Sequence, residues 1–444
     1  MKIIIAGAGE VGTHLAKMLS NEDQDIILLD SDQERLDVID ANYNLMTWNG
    51  STSSIDALKS VGIADADLYI AVTPYETRNI CSCAIAKQLG AKKTVARIDN
   101  SEFLRPENKK VLKNLGADVL IYPENVGAVE IATALEHNWT RYWSSLADGD
   151  LILIGVKLHG NSPIAGHQLK DLPVKHHDFH VCAIKRNAET IIPGGNDTIL
   201  ENDIVFFITT PNYVEEVREL CGKKKKHIRK VLIMGGSRIA RRFAIQFHEK
   251  FNIKIIEINR ERCEELATLL PDCEIVHGDA RDIEVLRENS INDYDTFLAL
   301  TDSSETNILA CLTAKEFGVP KTIADVENLQ FISQAENLNI GTTINKKLLA
   351  SSHIFKILLD TDETNAKVLA LADAEVAEIC VRKNAKITHS VVRNLRLPQG
   401  MTLAGVIRDG NSSLVDGNTH IMAGDYVVVF CLAGSLSKIE KWFN

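Results

Sequence analysis

The chain has 444 residues, of which 45% are hydrophobic and 25% charged, and its net charge is −11. This composition is that of a globular protein with roughly three or four domains of about 100–150 residues each. The acidic balance argues against a nucleic-acid-binding protein, which needs a basic face to neutralise phosphates. No apolar run approaches the roughly 18–20 residues that span a bilayer, and no targeting segment is visible, so we expect any membrane role to act through a membrane partner.

The nine cysteines are scattered and odd in number, which favours reduced thiols in a cytosol. Cys81 and Cys83 form the only close pair. They fall in a stretch, 79–90, with helical periodicity, so we interpret them as helix positions packed against a sheet rather than as a metal or redox site.

The first predicted element is the strand Lys2–Ala6, which leads into a glycine-rich loop and a helix over 11–19. The loop reads Gly7-Ala8-Gly9-Glu10-Val11-Gly12. In this context Gly7 permits a tight turn, Gly9 lets a pyrophosphate approach the backbone, and Gly12 lets the helix pack close to the strand. The phosphates would lie on free N–H groups at the helix N-terminus.

Further apolar strands are predicted at 25–30, 68–72, 94–98 and 119–122, separated by helical segments. Near-continuous apolar strands that alternate with helices indicate a parallel sheet covered on both faces. The predicted fold class is therefore α/β, with a Rossmann-like doubly wound parallel sheet.

Polar residues at the ends of these strands are the remaining candidates of the first site. Asp30 ends the second predicted strand, where a carboxylate accepts hydrogen bonds from ribose hydroxyls; its charge favours NAD(H) or an adenine nucleotide over NADP. Thr73 and Pro74 follow the third predicted strand, at the mouth of the same crevice. Arg97 could reach a phosphate, with a surface ion pair as the alternative. Glu124 is either an interface residue or a cation-linked one.

A smaller module follows, with predicted strands at 150–158, 181–185 and 202–208 and one helix, which indicates an α+β module. The histidines His176, His177 and His180 lie in a predicted loop, and we interpret them as structural or solvent-exposed rather than as a metal site. The run of lysines at 223–226 is interpreted as a solvated linker, with a nucleic-acid or lipid contact as the alternative.

The second half of the chain repeats the first, which indicates a gene duplication. Lys230 begins a strand that leads into Gly235-Gly236-Ser237-Arg238-Ile239, with Ser237 and Ala240 in the places of Gly9 and Gly12. Glu257 keeps the carboxylate of Asp30, whereas Asp325 replaces Arg97. We therefore predict a second nucleotide site with weaker or different affinity.

The repeat divides the chain into four predicted domains. They are a first Rossmann domain at 1–145, a first small module at 146–222, a second Rossmann domain at 228–365 and a second small module at 366–444. A dehydrogenase would need a substrate domain and a proton donor at the hydride site, and these four domains leave no room for one. We therefore predict a regulatory protein without catalytic residues, with an NAD-dependent oxidoreductase as the alternative.

This arrangement resembles the TrkA family, in which two RCK units (regulators of potassium conductance, each a KTN domain plus a TrkA-C domain) stand in tandem. The motifs that carry the resemblance are the loop from Gly7 to Gly12, Leu29-Asp30, Gly50, 71–73, Asn79, 95–97 and Gly278-Asp279-Ala280. The chain departs from the family pattern at Asn49-Gly50-Ser51, where Gly-Asp-Ala is usual, and at Pro74, where Asn is common.

The resemblance implies a cytoplasmic subunit, peripheral on the inner face of the cell membrane, that gates a TrkH-like potassium-translocating membrane protein. It implies a homo-oligomeric ring, a tetramer being the expected size, and NAD(H) as ligand, with ATP or ADP as further ligands. A regulator of a different ion transporter is the alternative. The implied binding residues are, in the first copy, Gly7, Ala8, Gly9, Glu10, Val11, Gly12, Asp30, Thr73, Pro74 and Arg97, and, in the second, Gly235, Gly236, Ser237, Arg238, Ile239 and Glu257.

Overall fold

The computed structural model describes residues 1–20, 25–43, 45–172, 178–187, 189–338, 340–359, 367–371, 374–398, 400–432, 439 and 441–443. These residues fall into two compact units, each of which joins segments from both halves of the sequence. The first unit comprises Met1–Ala132 and His227–Phe355, and the second comprises Thr133–Lys226 and Lys356–Asn444. Among the described residues no helix has the length and apolar character to cross a bilayer.

The first copy in the first unit is a six-stranded parallel sheet with helices between the strands. Its strands are β1 (Lys2–Ala6), β2 (Asp25–Asp30), β3 (Met46–Asn49), β4 (Leu68–Ala71), β5 (Lys93–Arg97) and β6 (Val119–Ile121). Its helices are α1 (Glu10–Ser20), α2 (Gln33–Asn42), α3 (Ile55–Ser60), α4 (Glu76–Gln88), α5 (Pro106–Asn114) and α6 (Pro123–Glu136). The spatial order β3-β2-β1-β4-β5-β6 is the doubly wound order, with its switch point between β1 and β4.

The first small module is an antiparallel sheet that lies in the second unit. Its strands are β7 (Tyr142–Leu146), β8 (Leu151–Lys157), β9 (Phe179–Arg186), β10 (Glu189–Ile191) and β11 (Ile204–Thr209), followed by α7 (Val214–Leu220). Strand β7 pairs antiparallel with β8. The predicted boundary between the Rossmann domain and the small module, at residue 145, falls inside β7. Because β7 is hydrogen-bonded to β8, the whole strand belongs to the small module.

The second copy in the first unit repeats the sheet of the first. Its strands are β12 (Lys230–Met234), β13 (Asn252–Glu257), β14 (Glu274–His277), β15 (Thr296–Ala299), β16 (Lys321–Asp325) and β17 (Thr342–Ile344). Its helices are α8 (Arg238–Phe247), α9 (Arg260–Leu269), α10 (Ile283–Glu288), α11 (Ser304–Glu316), α12 (Leu329–Asn337) and α13 (Lys346–Leu359). The order β14-β13-β12-β15-β16-β17 is that of the first copy.

The second small module completes the second unit with β18 (Lys367–Leu371), β19 (Ala374–Cys380), β20 (Met401–Arg408), β21 (Asn411–Leu414) and β22 (Tyr426–Leu432). Its order, β18-β19-β22-β20-β21, matches that of the first module read from β7. One hydrophobic cluster contains residues of both sheets, including Leu153, Phe206, Val428 and Phe430. The two modules therefore share a core, and the predicted duplication extends to them.

The α/β fold class with two Rossmann-like sheets is confirmed. The first sheet has six strands, one more than the five predicted, and the second sheet repeats the additional strand. The additional strands are β3 and β14, which lie at a sheet edge. Met46 and Trp48 of β3 are 57% and 40% exposed, so this strand lacks the continuous apolar run that marks the buried strands. As a result, Thr73 follows the fourth strand of the sheet, one strand later than expected.

Candidate functional site

The first glycine loop forms a tight turn between β1 and α1 in which a side chain would be strained or would clash at two positions. Gly7 has a φ of +113°, and a Cβ there would lie 3.0 Å from the backbone nitrogen of Thr73. A Cβ on Gly12 would lie 1.9 Å from the carbonyl oxygen of Gly7, well inside van der Waals contact. The loop therefore brings the start of α1 directly against the end of β1.

Gly9 is different, because no atom lies within 4 Å of the place where its Cβ would be. The absence of a side chain here leaves open space rather than relieving a clash. That space adjoins the first turn of α1, whose N–H groups have no acceptor within the helix. An open cradle beside unpaired N–H groups fits a phosphate or pyrophosphate group.

The Asp30 carboxylate holds this loop in place. Its Oδ2 accepts a hydrogen bond from the amide nitrogen of Ala8 at 2.5 Å, and its Oδ1 accepts one from the amide of Asp32 at 2.9 Å. Each carboxylate oxygen can accept a further hydrogen bond. Asp30 thus has a structural role that the sequence analysis did not foresee, and it retains the acceptor capacity that a ribose hydroxyl would need.

Glu257 makes the same two contacts in the second copy. Its Oε2 accepts a hydrogen bond from the amide of Gly236 at 2.6 Å, and its Oε1 accepts one from the amide of Asn259 at 2.8 Å. Glu257 is 3% exposed. Arg262 lies 3.7 Å from Oε2 and partly compensates the buried charge.

Thr73 is fixed at the carboxyl end of β4 by the fully buried amide of Asn79. The Asn79 Oδ1 accepts hydrogen bonds from the backbone nitrogen of Thr73 at 3.0 Å and from its hydroxyl at 2.6 Å. The Asn79 Nδ2 donates to the carbonyl oxygens of Thr73 and Arg97 at 2.9 and 3.0 Å. One side chain thereby ties the ends of β4 and β5 together at the crevice; Pro74, the next residue, is exposed.

Arg97 follows at the end of β5 with an incomplete set of partners. Its Nη2 lies 3.4 Å from Oδ1 of Asp99, whereas its Nε is buried and has no hydrogen-bond partner. A buried donor without an acceptor costs free energy unless a ligand or solvent supplies one. Arg97 therefore makes the ion pair that was the alternative interpretation, and its contact with a phosphate stays a prediction.

The second glycine loop keeps the tight turn of the first but has Ser237 and Ala240 in the places of Gly9 and Gly12. Gly235 has a φ of +92°. The hydroxyl of Ser237 is buried and has no hydrogen-bond partner, and Ala240, at the position of Gly12, is fully buried. A cavity of about 330 Å³ lies over this loop. It is lined by Met234, Gly235, Gly236, Ser237, Ile256, Glu257, Ile258, Arg262, Gly278, Asp279, Ala280, Arg281, Thr301, Asp302, Ser303 and Thr306.

An adjoining cavity of about 470 Å³ has four positively charged side chains in its lining. It is lined by Glu124, Gly236, Ser237, Arg238, Arg241, Arg262, Glu265, Leu266, Leu269, Asp302 and Lys346. Glu124 comes from the first copy and is 3% exposed, and its Oε2 has no hydrogen-bond partner. Arg238 lies 3.4 Å from Oδ2 of Asp99, also of the first copy. Residues of both copies therefore line the second candidate site, and Glu124 lies at the interface between the copies.

The first glycine loop is likewise contacted by the other copy, through α13. Lys347 forms ion pairs with Glu10 of the loop and, at 2.7 Å, with Glu327. The hydroxyl oxygen of Ser351 lies 3.3 Å from the carbonyl oxygen of Val11 and 3.0 Å from that of Lys347 in its own helix. Burial alone would lower the pKa of Lys347, but the two carboxylates outweigh it and the pKa is raised.

Several predicted residues contribute in ways that sequence alone could not specify. The side chains of Val11 and Ile239 are buried, so only their backbone can face a ligand.

Cys83 is buried and Cys81 exposed on α4, in agreement with a helix packed on the sheet. His180 lies on strand β9, so its prediction as a loop residue is wrong; His176 and His177 lie outside the described residues. Within the described ranges no cluster of three metal-ligating side chains occurs.

Lys346, Lys347 and Arg241 were not among the residues predicted for either site, and Asn79 was named only as a motif residue without a role. The repeat does align Asn79 with Asn307, which makes the same contacts with Thr301, so self-similarity was a usable signal for that residue. No local signal marks Lys347, because its partner Glu10 is 337 positions away in the sequence.

Comparison with known proteins accounts for all four domains. The family model of the TrkA-N domain matches residues 3–123 and 231–346, and that of the TrkA-C domain matches residues 153–222 and 376–444. The chain is 31% identical to the Trk system potassium uptake protein TrkA of Vibrio alginolyticus, over 100% of this chain and 99% of that one. It is 30% identical to the Trk system potassium uptake protein TrkA homolog of Archaeoglobus fulgidus, over 100% of each chain.

Solved structures share the fold at lower sequence identity. The RCK domain of GsuK has a TM-score of 0.62 at 14% identity, covering 100% of this chain and 94% of that chain. The GsuK channel bound to NAD has a TM-score of 0.61 at 15% identity, covering 100% of this chain and 78% of that chain. The tandem arrangement of Rossmann-like and small modules is therefore an RCK architecture.

Proposed function

The chain belongs to the TrkA family of Trk system potassium uptake proteins, and on that premise we propose that it is a nucleotide-binding regulatory subunit that gates a membrane potassium transporter. The observation that carries this proposal is the first glycine loop. It combines an open space at Gly9, a loop-bound carboxylate at Asp30 and an unpaired buried donor on Arg97. NAD(H) and the adenine nucleotides ATP and ADP are the ligands with the matching chemistry.

In this account the chain's own residues bind the ligand in separate roles. The N–H groups at the start of α1 and the guanidinium of Arg97 hold the phosphates, and Asp30 accepts from the ribose. Thr73 is placed by Asn79 at the edge of the same crevice. None of these residues carries out a chemical step, because the nucleotide regulates the protein by binding and is not converted.

Gating follows from a difference in affinity. A ligand shifts an equilibrium between two states only as far as it binds one of them more tightly. Each glycine loop in this chain is contacted by the other Rossmann copy, at Glu10 and Lys347 on one side and at Arg238 and Asp99 on the other. A nucleotide that alters either loop therefore acts on the packing between the copies.

The assembly belongs to the same proposal. The partner is a TrkH-like membrane subunit, and the chain forms a homo-oligomeric ring, with a tetramer as the expected size, on the cytoplasmic face of the membrane. The mass of the purified assembly in solution, alone and with NADH, tests the ring size.

The function is tested by potassium flux into vesicles that contain the TrkH-like subunit, with the purified chain added on the regulatory side. Flux should change on addition of NADH, NAD, ATP or ADP. Asp30→Asn should abolish the nucleotide effect while the chain still co-purifies with the membrane subunit, and Asp32→Asn is the matched control that should retain it. Flux that ignores all four nucleotides, or an Asp30→Asn chain with normal control, would overturn the proposal.

A further inference from the structure

The two glycine loops carry opposite charges at equivalent positions, and so do the residues that face them from the other copy. Glu10 begins α1, whereas Arg238 begins α8. At the start of the facing helices, Glu124 follows β6 in the first copy and Lys347 follows β17 in the second, each three residues after the last strand residue. The charge pattern of one loop is thus the reverse of the other.

The reversal changes where each loop obtains its positive charge. The second loop has Arg238 on its own helix. The first loop has an acidic residue there, beside the N–H groups on which a phosphate would lie, and its nearest countercharge is Lys347 of the second copy. A carboxylate next to a phosphate repels it unless a cation neutralises the carboxylate.

The position of Lys347 is fixed by more than one contact. Its ammonium group also pairs with Glu327 at 2.7 Å. One turn further along α13, Ser351 is fully buried, and its hydroxyl oxygen lies 3.3 Å from the carbonyl oxygen of Val11 and 3.0 Å from that of Lys347. The same helix face therefore reaches both the side chain and the backbone of the first two residues of α1.

We propose that Lys347 is a binding determinant of the first nucleotide site, supplied by the second copy: it neutralises Glu10 and so permits the phosphates of a nucleotide to lie at the start of α1. The inference rests on the proposed function, because it concerns the affinity of that same site. It also gives the second copy a role in the first site that does not depend on its own ligand. Affinity at the first loop then depends on the packing between the copies, which is the relation that a gate requires.

Three variants of the full chain test this inference. Isothermal titration with NADH measures the affinity of each variant. Lys347→Gln leaves Glu10 without its countercharge and should weaken the first-site event about tenfold. Lys110→Gln removes the positive charge of an exposed lysine on α5 that lines neither candidate site; it should leave first-site affinity unchanged. The double variant Glu10→Gln with Lys347→Gln removes both charges and should return the affinity to within about threefold of wild type.

The double variant separates electrostatics from packing. If Lys347 only held α13 in place, removing Glu10 as well would not restore binding, and a double variant as weak as Lys347→Gln would overturn the inference. Unchanged binding in Lys347→Gln would overturn it too. The binding event at the first site is the one that is lost in Asp30→Asn. If wild type shows no such binding event, the proposed function itself fails. Normal NADH binding by Lys347→Gln is a different outcome, because it overturns only the role of Lys347.

Discussion

The hydroxyl of Thr73 donates to Oδ1 of Asn79 at 2.6 Å, and Thr301 repeats this contact with Asn307 at the same distance. Each asparagine also spans two neighbouring strands, since Nδ2 of Asn307 donates to the carbonyl oxygen of Asp325 at 2.8 Å, as that of Asn79 does to Arg97. Both asparagines are fully buried. This pair of residues, conserved between the halves of one chain, fixes the carboxyl ends of the strands where the candidate sites lie.

Replacing Asn79 by alanine should loosen that edge of the first sheet. The change leaves the buried backbone groups of Thr73 and Arg97 without their side-chain partner, and we expect a loss of about 2–3 kcal/mol in local opening free energy. Hydrogen exchange in peptides covering β4 and β5 measures it. Asn307→Ala is the matched control: it should lower protection in β15 and β16 and spare β4 and β5. Equal protection of β4 and β5 in wild type and Asn79→Ala would show that the Asn79 side chain is not needed to hold the ends of these strands.

Gly9 and Gly12 should respond to alanine in opposite ways. Gly9→Ala places a methyl group in open space, so thermal stability should stay within about 0.5 kcal/mol of wild type while NADH binding weakens. Gly12→Ala places a Cβ against the carbonyl oxygen of Gly7 and should destabilise the first copy by roughly 1–3 kcal/mol. Thermal unfolding and NADH titration of both variants give the comparison. A Gly12→Ala chain as stable as wild type would mean that the loop can rearrange.

Much of the fold was predictable from the sequence, because buried parallel strands are apolar throughout and glycine loops have a fixed context. The edge strands β3 and β14 were not predicted, since residues such as Met46 and Trp48 face solvent and show no periodic signal. The candidate sites were predictable only within each copy. Contacts such as Glu10 with Lys347 and Arg238 with Asp99 join residues that are distant in the chain, and no local pattern encodes them.

Asp325 should make the second copy more stable at acidic pH. Burial raises the pKa of this carboxyl to about 6, with Lys346 acting against the shift. Because the folded pKa lies above the unfolded value of 3.8, the folded state binds more protons between these values, and stability falls as pH rises from about 4 to 6. The change is at most about 3 kcal/mol. Hydrogen exchange of β16, corrected for intrinsic rates, should show this slope, and Asp325→Asn should flatten it; an unchanged slope in the variant would exclude Asp325 as its source.

His180 should have the opposite effect on the second unit. It lies partly buried between the small modules, where its Nε2 lies 2.8 Å from the hydroxyl of Thr402, and burial lowers its pKa to about 4. The unfolded chain then binds more protons below the ordinary value of 6.5, so stability is lost as pH falls from about 6.5 to 4, by up to about 3 kcal/mol. Exchange in β9 should report the loss. His180→Gln should remove the dependence, and persistence of the acid loss in that variant would point to another group.

The most direct test of the account is isothermal titration of the full chain with NADH, NAD, ATP and ADP, repeated on Asp30→Asn and Arg97→Gln. The account predicts that wild type binds at least one of these nucleotides and that both variants weaken the same event by about tenfold or more, with no loss of thermal stability in Arg97→Gln. Wild type that binds none of the four, or binding that survives both substitutions, would contradict a nucleotide site at the first glycine loop.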